Sequence, residues 1–292
     1  MPTVVVDCDP GWDDALALIL LLTGHGPDVA GVTTVFGNDT VERTTDNARR
    51  MTAWAQKPEV YVHRGYPWSM SPEPGPPSPA LRSRVLEKLT DMGPLGQEDV
   101  VDFITDAAVS HGRGLTVLAT GPLTNIARTI IEGDLREIGT LVVVGGALKA
   151  GNVMGGEFNF SADPVAANTI MQAELNTVII PLETCERLPI TSDFLEGCAG
   201  TRAADLTAAI INDQVKQGNS DALKSFYDGI GALYLLDPTL FVLKQHKARV
   251  ETSGPSTGAL VLDGEQGWPV SIAESIVDVK GAYVKINDTL QQ

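Results

Sequence analysis

The chain has 292 residues, 43% apolar and 20% charged, which is enough for a sizeable buried core and too apolar for a disordered protein. Its formal charge of −16 argues against a nucleic-acid partner, because an acidic surface repels phosphate backbones. Cys8, Cys185 and Cys198 are too few and too scattered for a disulfide framework, the longest clean apolar run (15–22) is too short to span a membrane, and no secretory leader is legible, so a cytoplasmic protein is expected.

Along the chain, short β-branched runs alternate with longer helical patterns. A strand is expected over 3–6 and a helix over 14–22, then a strand over 29–35, a helix over 41–55 and a short strand over 59–62. Next come a helix over 99–110, a strand over 115–119, a helix over 122–132 with Pro122 in its first turn, and a strand over 141–144. A helix over 164–173 and a strand over 177–180 follow. The second half is more helical, with helices over 203–217 and 222–236 and late strands over 250–261 and 276–286. This alternation predicts an α/β fold, a single domain over 1–292 with a mostly parallel, mixed central sheet and helices on both faces. The proline-rich stretch 68–79 predicts a flexible, lid-like loop near the site, within 64–97.

Ligand sites in such sheets lie at the carboxyl ends of the strands. The polar segments 7–14, 37–38, 120–122 and 145–152 all fall there. The sharpest of them is Asp7-Cys8-Asp9-Pro10-Gly11-Trp12-Asp13-Asp14. Four carboxylates packed this closely resist ionisation, and a hard divalent cation such as Ca²⁺ relieves that. Helix capping by Asp9 or Asp13 accounts for one or two of the acids and leaves the others unexplained. An aspartyl nucleophile of the D-x-D type accounts poorly for Pro10-Gly11 and the downstream acids.

The aspartate segment resembles the hallmark of the inosine-uridine-preferring nucleoside hydrolases. Further segments match in the family's order: Val35-Phe-Gly-Asn38; Ala119-Thr120-Gly-Pro-Leu-Thr-Asn125; Gly151-Asn152 with Glu157-Phe-Asn159 and Ala162-Asp163-Pro164; and Leu236-Asp237-Pro238. The resemblance implies Ca²⁺-dependent hydrolysis of a ribonucleoside's N-glycosidic bond, in nucleoside salvage, by a homodimer or homotetramer. It places Asp9, Asp14, Asp237 and the Thr120 carbonyl around the metal, with Asp13 as general base and Asp7 orienting the others from behind. It also makes Asn38, Asn152, Glu157 and Asn159, with Asp13 and Asp237, the contacts to the ribose. On spacing alone Asn38 and Asn152 read equally well as turn residues after glycine, and Glu157 and Asn159 share one side of an expected extended segment. Asp163-Pro164 reads as a helix cap and first turn, and Asn125 as a brace for the Thr120 loop.

The chain also departs from the family. Many members carry a histidine just before the C-terminal metal aspartate, where this chain has Leu236, and a second family histidine has no counterpart in 90–96. None of His25, His63, His111 and His246 is an evident replacement. Tyr227, Asp228 and Tyr234 lie where the family contacts the base, and Trp12 and Trp68 could stack on it, although each also reads as packing. Two alternatives to a standard hydrolase therefore stand: a metal-dependent nucleoside-binding protein, and a hydrolase of an unusual N-riboside.

Overall fold

A computed structural model describes residues 2–24, 26–72, 82–149, 151–153, 155–219 and 223–292. The first strand, β1 (Thr3–Cys8), is a β-branched run whose faces enter different cores: Val4 and Val6 pack into one apolar cluster, Val5 into the other. A strand buried on both faces is the mark of a sheet covered by helices on two sides. The next elements are α1 (Trp12–Leu22), β2 (Asp28–Thr34), α2 (Val41–Trp54), β3 (Val62–Arg64), α3 (Val100–His111), β4 (Leu115–Ala119), α4 (Thr124–Glu132) and β5 (Thr140–Val144). Then come α5 (Phe158–Ala162), α6 (Pro164–Gln172), β6 (Thr177–Ile180), α7 (Leu182–Cys185), α8 (Ser192–Gly197), α9 (Arg202–Lys216) and α10 (Asp228–Leu236). The chain closes with β7 (Phe241–Val250), β8 (Leu260–Leu262), β9 (Trp268–Ile276) and α11 (Val279–Leu290).

The nine strands form one sheet in the order β3-β2-β1-β4-β5-β6-β9-β7-β8. All neighbours are parallel except β7, which runs antiparallel to β8 and β9. The chain winds outward from β1 through β2 to β3, then returns to β1's other side and winds the opposite way through β4, β5 and β6. That reversal opens a crevice at the carboxyl ends of β1 and β4. Every residue of α1 is buried: beyond Asp13 and Asp14 the helix is apolar on all sides, and it is wedged among α2, α9, α10 and α11.

The first half follows the expected pattern to within a few residues at each boundary. The late elements do not. Residues 276–286 begin at the end of β9 and continue into α11, not into a strand. Ala282, Ile286 and Leu290 recur at helical spacing and are buried, and Asp278 caps the helix by accepting from the Gly281 N–H. Residues 250–261 span the turn from β7 to β8. The helix expected over 222–236 starts at Asp228, and residue 222 lies outside the described residues. Residues 73–81 of the expected lid-like loop also lie outside them; the rest of 64–97 holds one 3₁₀ turn, Leu86–Lys88, and a bridge from Leu95 to Val62.

Asp163 caps α6 as expected and is fully buried. Its carboxylate accepts from the N–H groups of Met70 (2.8 Å) and Ala166 (3.1 Å) and the hydroxyls of Ser71 (2.9 Å) and Thr124 (2.6 Å). Asp163→Ala strands all four donors, so a loss of about 2–4 kcal/mol in urea unfolding is expected. A loss below about 0.5 kcal/mol would show that Asp163 does not hold these elements together.

Candidate active site and metal centre

The acids collect in the crevice between β1 and β4. Asp7 is the penultimate residue of β1, and its Oδ1 accepts from Thr33 Oγ1 (2.6 Å) on β2 and from Asn125 Nδ2 (2.7 Å) at the start of α4. Asn125 Nδ2 also reaches the Thr34 carbonyl, and its Oδ1 accepts from the Tyr66 N–H, so it braces β1, β2 and the segment at Tyr66, whereas the brace expected was one for the Thr120 loop. Asp9 is buried, and its Oδ2 accepts a 2.6 Å bond from the Asn38 N–H. Gly37 and Gly121 close in on either side; a Cβ on either would lie 2.1 or 2.6 Å from an Asp9 oxygen. Side chains larger than hydrogen do not fit there.

Pro10 and Gly11 turn the chain back so that α1 begins beside Asp9. Asp14, not Asp9 or Asp13, takes the capping role: its Oδ2 accepts from the Gly11 N–H (3.2 Å) and from Asn38 Nδ2 (3.1 Å). Its Oδ1 accepts from Thr120 Oγ1 (2.8 Å), which draws the end of β4 into the cluster. The Thr120 carbonyl accepts from Asn159 Nδ2 (2.7 Å). A carbonyl has two lone pairs, so one remains for a second partner.

The structure corrects the C-terminal member of the cluster. Carboxylate oxygens of Asp13, Asp14 and Asp228 all lie within 4.8 Å of one another, and Asp228 is buried in the first turn of α10. Asp237 ends that same helix. Nine residues at about 1.5 Å each set the two ends roughly 13 Å apart. The Asp237 carboxylate instead accepts from the Thr239 N–H and hydroxyl, capping a 3₁₀ turn.

A cavity of about 560 Å³ opens over the cluster, lined by Asp13, Asn38, Thr120, Asn152, Glu157, Asn159 and Asp228 among others. Of the six expected ribose contacts, Asn38, Asn152, Glu157, Asn159 and Asp13 therefore line one space, and Asp237 does not. Glu157 and Asn159 come from a short helix, not an extended segment: Glu157 caps α5, accepting from the Asn159 and Phe160 N–H groups and from Gly146 across the cavity floor. Asn152 accepts from the Phe158 N–H. The far wall carries Trp12, Ile180, Leu182, Cys185, Tyr227 and the segment 217–219. Cys185 and that segment carry no sequence motif, so sequence reasoning misses them. None of the described histidines lines the cavity: His63 stacks on Phe103 at 3.8 Å, His246 pairs with Glu274, and His25 is outside the described residues. Trp68 is 77% exposed and Tyr234 packs edge-on against Phe241, so neither belongs to the site.

Burial raises the pKa of every acid in the cluster, and repulsion from Asp14 adds to it for Asp7, Asp9, Asp13 and Asp228. Asp7 is pushed up to about 7 by burial, against the hydrogen bonds from Thr33 and Asn125. Asp228 is raised by burial and then by Asp14, Asp13, Asp9 and Glu157, all of the same sign. Asp9 Oδ1 and Asp7 Oδ2 are buried without a partner among the described residues. Burial also keeps the thiols of Cys8 and Cys185 protonated. Oxygen donors and orphaned anionic atoms fit a hard divalent cation, for which Asp13, Asp14 and Asp228 offer carboxylate oxygens within 4.8 Å of one another.

The model of the inosine-uridine preferring nucleoside hydrolases matches residues 4–285. Among curated proteins, the chain is 29% identical to uridine nucleosidase 1 of Arabidopsis thaliana, over 97% of this chain and 91% of that one. It is also 29% identical to the pyrimidine-specific ribonucleoside hydrolase RihA of Photobacterium profundum, over 90% and 89% of the two chains. The fold is similar to that of the purine-preferring ribonucleoside hydrolase from Gardnerella vaginalis (TM-score 0.88, 24% identity, 99% and 98% coverage). It is similar too to a plant nucleoside hydrolase structure (TM-score 0.87, 20% identity, 99% and 98% coverage).

Calorimetric titration of chelator-stripped protein with Ca²⁺ is expected to show one site per chain. Asp228→Asn should abolish it and Asp237→Asn should leave it within about threefold, since only one of the two reaches the cluster. The opposite pattern would restore Asp237 to the metal site.

The raised acids also set a pH dependence. Unfolded, they ionise near pH 4, whereas folded and cation-free they hold their protons to higher pH. Between these pKa values the folded state binds more protons, so stability falls as pH rises. Stripped protein is expected to melt lower at pH 8 than at pH 5, and Ca²⁺ to raise the melting temperature more at pH 8. Equal gains at both pH values would mean the cation does not displace protons from these acids.

Proposed function

The chain belongs to the inosine-uridine preferring nucleoside hydrolase family and is an N-glycosidase, and on that premise we propose that it hydrolyses a ribonucleoside to ribose and free base with Ca²⁺ as its cofactor. The observation that carries this reading is the meeting of Asp13 and Asp228 with Asn38, Asn152, Glu157 and Asn159 around one cavity, with Asp9 and Asp14 bonded to Asn38. When bound, a divalent cation offsets the clustered charge, holds vicinal sugar hydroxyls and acidifies water.

The chain's own residues do the rest. Asp13 borders the cavity, and its Oδ1 accepts a long 3.3 Å bond from the Asp14 N–H. Its proton affinity is raised by burial and by Asp14, so it suits the general base that takes the proton of the attacking water. Asn38 and Asn159 are held by backbone and carboxylate partners, which fixes their amides for ribose hydroxyls. Glu157 keeps its carboxylate in place through three backbone donors. Asp7 touches no cavity; through Thr33 and Asn125 it sets the strand end from which Asp9 projects. The leaving base would lie toward Trp12, Ile180, Cys185 and Tyr227. With Asp228 at the metal and not Asp237, the residue in the family histidine's position is Tyr227, not Leu236.

The uridine and pyrimidine names of the curated relatives put uridine first among substrates to test. No helix among the described residues is long and apolar enough to cross a membrane. By family likeness we read the protein as a cytoplasmic homodimer or homotetramer acting in nucleoside salvage.

Ribose release from uridine, inosine and nicotinamide riboside tests the reading directly. At least one should be cleaved, and a chelator should stop it. Asp13→Asn keeps the shape and removes the base, so kcat should fall by about 10²–10⁴-fold with ribose affinity kept. Near-normal turnover in that variant would remove Asp13 as base. Ribose binding with no cleavage of any riboside would identify a binding protein instead.

A further inference from the structure

The turn Asp9-Pro10-Gly11 carries Asp9 and starts the helix that carries Asp13 and Asp14, so the spacing of these acids depends on how the turn is held. From the cavity side it is held by the site itself. The N–H groups of Asp9 (3.4 Å) and Gly11 (3.2 Å) donate to the Asp14 carboxylate, and Asn38 Nδ2 donates to the Asp9 carbonyl (3.1 Å). A cation at Asp14 draws on the same carboxylate oxygens as those two N–H groups. The turn therefore needs an anchor that does not pass through Asp14.

Such an anchor comes from behind. Asn47 on α2 donates from Nδ2 to the Pro10 carbonyl (2.9 Å). It borders a separate cavity of about 400 Å³, lined also by Asp39, Arg50 and Arg82, and not the one over the acids. The helix it stands on is fixed to the end of β2. Thr44 Oγ1 donates to the Val35 carbonyl (2.8 Å), and the hydroxyls of Thr45 and Thr34 share a 2.8 Å bond. The amide itself is clamped: its Oδ1 accepts from Arg50 Nη1 (2.9 Å), one turn along α2, and Arg50 Nε donates to the Leu89 carbonyl (3.2 Å). A guanidinium only donates and a carbonyl only accepts, so the amide has one orientation, oxygen to Arg50 and NH₂ to Pro10. The charge on Arg50 also polarises the amide and strengthens its bond to Pro10. Asparagine is a poor helix former, yet Asn47 is buried in the middle of α2, and these two bonds account for it.

We propose that Asn47 is the positioning residue for the acid turn: through Pro10 it sets the separation of Asp9 from Asp13 and Asp14, with Arg50 fixing its amide. The inference rests on the cation reading above and extends it to a residue that touches neither cation nor substrate.

Two variants at one position separate this role from mere packing. Asn47→Leu removes both bonds at similar size. Asn47→Asp keeps the contact to Arg50 but turns an oxygen toward the Pro10 carbonyl, and its added negative charge alone would strengthen cation binding. In calorimetric titration of chelator-stripped protein, Asn47→Leu should bind Ca²⁺ about 10–100-fold more weakly than the parent, and Asn47→Asp more weakly too, in spite of its charge. Arg50→Ala should weaken binding as well, and should add little to Asn47→Leu, since both act through one amide. Asp163→Ala is the control for lost stability: it unfolds more easily yet should bind Ca²⁺ within about threefold of the parent. In stripped protein, amide hydrogen exchange over 9–14 should rise by about fivefold or more in both Asn47 variants, while α6 exchanges as in the parent. A merely structural asparagine would leave Ca²⁺ affinity where Asp163→Ala leaves it. If the parent binds no Ca²⁺, the cofactor reading fails, and exchange over 9–14 still decides the role of Asn47. Parent-like Ca²⁺ affinity in Asn47→Leu, equal or tighter binding in Asn47→Asp, additive losses with Arg50→Ala, or unchanged exchange over 9–14 would each overturn the proposal.

Discussion

Everything at the site depends on one electrostatic problem: Asp9, Asp13, Asp14 and Asp228 share a buried crevice, where burial raises the proton affinity of each and Asp14 raises that of the other three. The fold supplies a partial answer. The N-termini of α1 and α10 both open onto the cluster, since Asp13 and Asp14 lie in the first turn of one and Asp228 in the first turn of the other. Each helix terminus is worth about half a positive charge, so the two together offset roughly one carboxylate out of four. The rest must be met by protonation or by a cation. A divalent ion of net charge two, added to the helix termini, brings the balance close to neutrality, leaving about one acid's worth of proton affinity for the general base proposed above. The same acids therefore demand the ion and tune Asp13.

The sheet topology explains why the acids come from such distant parts of the chain. Winding reverses at β1, so the loops after β1 and β4 diverge and leave a gap that no crossover fills. Asp9 enters from one side and Thr120 from the other, and α1 closes the floor. The remaining side is covered only when α10, from far along the chain, packs on α1 and delivers Asp228 with its first turn. Asp7 and Asn125 tie β1, β2 and α4 together beneath this assembly, so the position of Asp9 is set by three elements at once.

The parts of this arrangement that are legible in the sequence are those in which local pattern and tertiary role coincide. The β-branched run Thr3–Val6, the crowded acids after it, and Gly37-Asn38 stand out because strand, turn and ligand lie within a few residues. Asp228 is singled out in the sequence only as a base-side residue, and its place in the acid cluster escapes for the converse reason. Asp237-Pro238 carries the local signature of a capped turn, and a capped turn is what it forms, whereas Asp228 sits between a tyrosine and an apolar helix and gains its meaning only from Asp13 and Asp14 across space. Residues 276–286 mislead because their pattern says nothing of burial: Val277, Val279 and Val284 look like strand residues but are exposed, and the helix is decided by Ala282, Ile286 and Leu290. The segment at 217–219 lines the cavity by way of the end of α9, which no short motif records.

Hydrogen-bond satisfaction separates the structural acids from those of the site. Asp163 accepts four bonds from four residues, and Glu157 three from backbone, so both are saturated and rigid. Asp9 uses one oxygen and leaves Oδ1 buried and unpartnered among the described residues. Asn38 shows the same asymmetry within a single amide: its Nδ2 is committed to the Asp9 carbonyl and Asp14, while Oδ1 has no partner among those residues. The donor is committed and the acceptor kept open, so Asn38 can only accept from what enters the cavity. A ribose hydroxyl that donates to Asn38 Oδ1 has its lone pairs turned elsewhere, toward the acids' side of the crevice where the cation is needed. Groups left unsatisfied in burial are costly for stability, and among the described residues several of them fall at Trp12 and Asn38, which line the cavity, and at Asp9 and Asp7 behind it.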